Sequence, residues 1–237
     1  MACTKVTHGT TVTQDGVSHI VESPASLAAQ AGVSLDVYSL GRCIASEGHS
    51  GPSSEDEKAA IAIGQVVANG ARKRGVSVTN LLIRSNYASA NGHYGEQLGR
   101  YAATSKDPCA WHLSIAADVL AGRTVDLISG ATKWNDPRSQ DSGSQAGHAI
   151  KDAITIIQKW TSEGSAWIGG IPGLSSYSLM FYRDEKDAAK RAEAQKAAIE
   201  VVQRGRLGLS TAMLAASSGI GFLALLALGT YLIAKRE

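Results

Sequence analysis

Hydrophobic positions recur at helical spacing through most of the chain. From Leu35 onward, Leu35, Val37, Tyr38, Leu40, Cys43 and Ile44 share one face, Ser34 stands as N-cap, and Glu47 falls at the C-terminal end. His49-Ser50-Gly51-Pro52 interrupts the pattern, and Ser54 with Glu57 reads as a capping box opening a second helix over residues 55–71. Its run AAIAIGQVVANGA is nearly all small or apolar, which predicts the central buried helix, and the RKRG that follows is a helix-end signal. Residues 79–109 mix Gly, Asn, Ser and Tyr and predict a loop-rich lobe. A third helix starts at Asp107-Pro108 and stops at Gly122, and a loop follows it. Residues 146–162 then carry Ile150, Ile154, Ile157 and Trp160 as an apolar stripe. Residues 166–183 read as extended or turn-like, and residues 184–206 as a charged, Ala-rich helical stalk with Gly205 a candidate break. Residues 1–33, rich in Thr, Ser, Gly and Val, predict an irregular or short-strand lead-in.

The pattern changes character at residues 207–234, which contain no charge and are bracketed by Arg204 and Arg206 before and Lys235 and Arg236 after. About 20 apolar residues cross a hydrocarbon core. At about 1.5 Å rise per residue, this run offers roughly 42 Å of helix. Tyr231 and the basic pairs sit where interfacial anchors belong. The reading is a single-pass C-terminal membrane anchor, with the lipid bilayer as one partner. The first thirty residues lack the continuous apolar stretch of a secretory signal, so a tail-anchored topology is expected. Lys190, Arg191, Lys196, Arg204 and Arg206 outweigh the basic pair after the span, and the positive-inside tendency then places the preceding domain on the cytoplasmic face.

Charge and cysteine usage narrow the chemistry. A net charge of +2 is too small to imply a nucleic-acid partner. Cys3, Cys43 and Cys109 are few, odd in number and unlike any metal site in spacing; they make no disulfide framework, one pair at most staying open, and they read as buried or idle thiols. His49, His93, His112 and His148 form no HxxxH or HExxH arrangement, and no G-x-S-x-G elbow or phosphate loop occurs. No metal and no cofactor is expected. Glu47 is the acidic group with the weakest structural excuse. A carboxyl held between two apolar helices is partly desolvated and stays protonated near neutrality, as a general acid on a glycosidic oxygen must. Glu55 and Glu57 are explained by the helix dipole at their positions.

The segment LGRCIASEGHSGPSSEDEKAAIAIGQVVANGARKRG resembles the opening of the SleB-type cell-wall hydrolase family, in which a helix ends in a catalytic Glu and a second helix ends near an Asn. That resemblance puts Glu47 on the catalytic acid and Asn69 on the second-helix Asn. GHYGEQLGRYAATSKDPCAWHLSIAADVLAG and LISGATKWNDP resemble the later blocks, which end in a Gly-Ala-Thr turn, here Gly130, Ala131 and Thr132. AWIGGIPGLSSYSLMFYR is similar to the closing segment of phage-type members. The chain departs from the pattern after that turn, carrying Lys133-Trp134 where an aromatic or His pair is usual, and at residues 79–109.

The resemblance implies a mainly α, lysozyme-like α+β domain over residues 34–183 that cuts the bond between N-acetylmuramic acid and N-acetylglucosamine. With one strong carboxylate and no obvious second, the implied chemistry is that of a lytic transglycosylase. Tyr94, Gln97, Thr132 and Trp134, with Asn69, are the candidate glycan-binding residues, because aromatic rings stack on sugar faces and amides bind N-acetyl groups. Peptidoglycan glycan strands are then the substrate. A wall-cutting domain facing the cytoplasm fits a phage with an internal membrane, with other virion membrane or capsid proteins as partners; a tailed-phage or host-encoded enzyme inserted in the opposite orientation is the other reading. Two alternatives are a catalytically inactive assembly protein of a virion membrane and a wall-binding membrane receptor. The small residues Ala215, Gly219 and Gly221, which let spans pack closely, suit the first.

Overall fold

A computed structural model describes residues 11–14, 17–20, 24–47, 53–84, 96–97, 100–101, 108–137, 149–175 and 179–217. The protein is mainly helical with a small antiparallel sheet. Its helices are α1 (Pro24–Gln30), α2 (Leu35–Ser46), α3 (Ser54–Arg74), α4 (Val78–Arg84), α5 (Ala110–Leu120), α6 (Ala149–Ser162) and α7 (Ala188–Ser217). The strands are β1 (Thr11–Gln14), β2 (Val17–Ile20), β3 (Glu96–Gln97), β4 (Arg100–Tyr101), β5 (Lys133–Asn135), β6 (Ser165–Trp167) and β7 (Met180–Asp184). β1 pairs with β2 and β3 with β4, while β7 lies between β5 and β6 in a three-stranded antiparallel sheet.

The central helix is α3. Ala59, Ala60, Ala62, Ile63, Val66 and Val67 are almost wholly buried, and they pack with Leu40, Cys43 and Ile44 of α2 and Ile115, Ala116 and Val119 of α5. Small residues set the spacing. A Cβ at Gly41 would stand 2.8 Å from Leu113 Cδ2 and 3.3 Å from Pro108 Cβ, so α2 and α5 meet where only glycine fits without a shift. A second cluster joins Ala153 and Ile157 of α6, Met180 and Tyr182 of β7, and Ala198 and Val202 of α7.

Several elements differ from the sequence expectation. Residues 24–30 are helical, and Leu27 and Ala28 are buried against Tyr38 and Leu113, so this part of the lead-in is docked structure. The N-cap of α3 is Ser53 rather than Ser54: its extended backbone lets the hydroxyl accept from Asp56 N at 3.0 Å and donate to the Asp56 carboxylate at 2.6 Å. The helix also runs three residues further, to Arg74, where Gly75 at φ +64° caps it. Residues 78–84, read as the edge of a loop-rich lobe, form α4, with Leu81 and Leu82 in the core. The N-cap of α5 is Cys109, whose backbone N–H donates to His112 Nδ1 at 3.1 Å. Cys109 is disulfide-bonded, the single pair that the cysteine count leaves open, whereas Cys43 is free and buried, as a buried thiol was expected to be. The final helix continues through Gly205 without a break. Among the described residues no helix is long and apolar enough to cross a membrane, and residues 218–237, the larger part of the expected span, lie outside the described residues.

Candidate functional site

The loop after α5 is fixed by side chains one turn apart on α3. Gln65 Nε2 donates to Thr124 Oγ1 at 3.1 Å and Val125 O at 2.7 Å, while its Oε1 accepts from Leu127 N at 3.0 Å. Asn69 Nδ2 donates to the carbonyl of buried Ala131 at 3.0 Å. The Asp126 carboxylate accepts from Ile128 N and Ser129 N, both at 3.0 Å, and shapes the turn in which Ser129 and Gly130 take φ of +46° and +76°. Thr132 N then donates to Tyr182 O at 2.9 Å and leads the chain into the sheet as β5. A side-chain amide on a central helix, a glycine turn and a sheet edge are thereby locked together.

Two cavities open around this junction. One, of about 360 Å³, is lined by Thr132, Lys133, Trp134, Trp160, Lys73 and Arg74. The other, of about 390 Å³, adjoins it through Lys73 and Thr132 and is lined by Asn69, Gly130, Arg72, Arg183 and Asp184 among others. Lys133 Nζ donates to Glu163 at 2.9 Å and lies 5.6 Å from the centre of the Trp160 ring. That hydrogen bond holds the Glu163 carboxyl below its ordinary range. Trp160 in turn meets Tyr182 edge-on at 4.9 Å.

Glu47 is positioned by a different part of the core. Ser34 Oγ accepts from Val37 N at 3.3 Å and starts α2, the buried face of α2 fixes its axis, and Glu47 closes it as C-cap with its N–H donating to Cys43 O at 3.1 Å. Glu47 is half-buried. Burial pushes the Cys43 thiol well up, and the neighbouring Glu47 carboxylate pushes it further, so the carboxyl stands beside a fully buried sulfur. One turn earlier, Arg42 is wholly buried and hydrogen-bonds Tyr38, whose phenol is raised by burial and partly lowered by that guanidinium.

The structure therefore brings Asn69, Thr132 and Trp134 together and leaves Glu47 outside the lining of both cavities. Gln97 lies on β3, in register with Arg100, with its side chain outside the description; Tyr94 lies outside the described residues. Reasoning from the sequence missed Lys73, Arg74, Lys133 and Trp160 as neighbours of that trio. The basic run at the end of α3 was accounted for by the helix dipole, and Trp160 by the stripe of α6. The signal was present at Lys133-Trp134, where a cation and an aromatic ring follow directly on the Gly-Ala-Thr turn.

These features define a mainly helical protein with a cationic and aromatic cleft beside a small sheet. No family model, curated protein or solved structure matches the chain.

Proposed function

We propose that this chain is a membrane-anchored peptidoglycan-degrading enzyme with Glu47 as its general acid and base, carried by a phage virion for penetration of the host wall. The observation that carries the reading is the hydrogen bond from Asn69 to Ala131. It joins the Asn of the second helix to the Gly-Ala-Thr turn, two blocks of the SleB-type resemblance that lie far apart in sequence. Thr132 and Trp134, the candidate sugar-binding residues that follow, line the cleft beside that bond.

In this mechanism Glu47 protonates the leaving glycosidic oxygen as the bond to the muramoyl anomeric carbon breaks. The resulting carboxylate then takes the proton of the muramoyl 6-hydroxyl, whose oxygen closes on the same carbon to give an anhydro sugar. No water enters and no second carboxylate is required. In this reading Trp134 and Thr132 line the sugar cleft, and Asn69 holds the turn that carries them through its bond to Ala131.

The virion context follows from topology. With more cations on the domain side than in the Lys235-Arg236 pair beyond the span, the positive-inside tendency puts the domain on the cytoplasmic face, where it meets no wall. An internal phage membrane resolves this by delivering the enzyme later. A second reading, a catalytically inactive virion spacer or a wall-binding receptor, is favoured by the absence of Glu47 from both cavity linings.

The test is a peptidoglycan zymogram of the full chain. Glu47→Gln is expected to abolish clearing, a loss of at least a hundredfold for a missing general acid, with the helical circular dichroism retained. Undiminished clearing removes the acid assignment.

A further inference from the structure

The two adjoining cavities are strongly cationic. Among the described residues their walls carry Arg72, Lys73, Arg74, Lys133 and Arg183 against a single carboxylate, Asp184. A basic helix end explains Arg72, Lys73 and Arg74 by dipole alone. It explains neither Lys133 on β5, which stands opposite Tyr182 and lines the first cavity, nor Arg183, the next residue along β7, which lines the second. Lys73 is paired with Asp184 and Lys133 with Glu163, yet both lysines remain open to solvent, at 53% and 29% side-chain exposure. Exposed pairs of this kind hold weakly and exchange readily for an incoming anion.

The position of this cleft selects among anions. The N–H of Glu185 donates to Gly164 O at 2.9 Å, and Asp184 itself lies in the wall, so the cleft sits at the N-terminal start of α7. From Ala188 to Leu207, where the apolar run begins, the helix rises about 28 Å. That is roughly three screening lengths at physiological ionic strength. Bilayer headgroups beyond the far end of α7 therefore exert almost no attraction on these cations. A polymer approaching from the side opposite the membrane meets them first.

We propose that this cleft binds the free carboxylates of the peptide stems carried by muramic acid, so that the protein recognises peptide-bearing rather than naked glycan. The inference rests on the wall-degrading reading above. It adds that Trp134 and Trp160 receive the sugar and apolar parts of the ligand while the flanking guanidinium and ammonium groups receive the carboxylates. Planar guanidinium groups suit carboxylate geometry, and both kinds of cation give charge-assisted bonds.

The experiment is a calorimetric titration of the full chain in neutral detergent with the disaccharide N-acetylglucosaminyl-N-acetylmuramic acid carrying a tetrapeptide, and with the same disaccharide lacking it. The peptide-bearing ligand is expected to bind at least tenfold tighter. That preference should shrink as salt is raised and vanish in Lys133→Gln and in Arg183→Gln, each checked for unchanged circular dichroism. Equal affinity for the two ligands overturns the proposal, as does a preference that survives both substitutions. Binding confined to vesicles containing phosphatidylglycerol overturns it in favour of a headgroup site. Wall clearing is scored separately. Clearing with no peptide preference sinks the cleft and spares the enzyme, whereas preference without clearing sinks the enzyme and spares the cleft.

Discussion

Asn69 shows how one side chain sets the geometry of a site. Its amide donates to Ala131 O at 3.0 Å and its oxygen accepts from Arg72 Nη1 at 3.0 Å, so a single residue ties the end of α3 to the glycine turn. Asn69→Ala removes a donor from the carbonyl of a fully buried residue, at a cost of about 1–3 kcal/mol. Urea unfolding of the variant should show a lower midpoint with unchanged slope, and wall clearing should fall as Thr132 and Trp134 lose their tether; an unshifted midpoint contradicts the tethering role. At this scale much was legible. The resemblance named Asn69 and the Gly-Ala-Thr turn, and Asn69 donates to the carbonyl of that turn's Ala131. Thr132 borders both cavities, Trp134 only the first and Asn69 only the second, while Glu47 borders neither. Arg42 was not legible: it stands between Gly41 and Cys43 in an apolar run, and only the fold shows it wholly buried with Tyr38 as partner.

Among the elements, β7 carries the densest constraint. Met180, Phe181 and Tyr182 are all buried, and the strand holds β5 on one side and β6 on the other. Burial raises the Tyr182 phenol far above its ordinary value near 10. The folded state therefore keeps this proton at alkaline pH where the unfolded chain loses it. Its contribution to stability is complete below about pH 10 and declines as pH rises beyond that, by up to about 1.4 kcal/mol per pH unit. Tyr182→Phe should unfold at nearly the wild-type temperature at pH 7 and above it at pH 11; equal losses in both proteins on going to pH 11 contradict the assignment. Long helices were readable because their apolar faces repeat over several turns. α4 and β5 were not, since seven residues or fewer give too few repeats to separate a period from chance, whereas β6 and β7 fall in the segment read as extended or turn-like. The cap of α3 went one residue astray because Ser53 and Ser54 are chemically equal and only backbone conformation separates them.

At the scale of the molecule, α7 joins the domain to the expected anchor. Ala198 and Val202 are fully buried against α6 and β7, so the charged helix is held to the domain at these two positions. Only about five residues, or some 7 Å of helix, then separate Val202 from the uncharged run. On the proposed reading the domain rides close against the bilayer with its cationic cleft at the far end, a geometry suited to working on a wall polymer while tethered. Composition raises the expectation of an anchor but gives no sign of this contact, because two small apolar residues in a charged helix carry no distinctive pattern.

The central claim is that Glu47 cuts glycan, and product analysis tests it most directly. Purified sacculi digested with the full chain and with Glu47→Gln should be compared by mass spectrometry of the soluble fraction. The account predicts muropeptides ending in anhydromuramic acid from the wild type and none from the variant. Release of no soluble fragments by the wild type, or of the same fragments by both proteins, would contradict it.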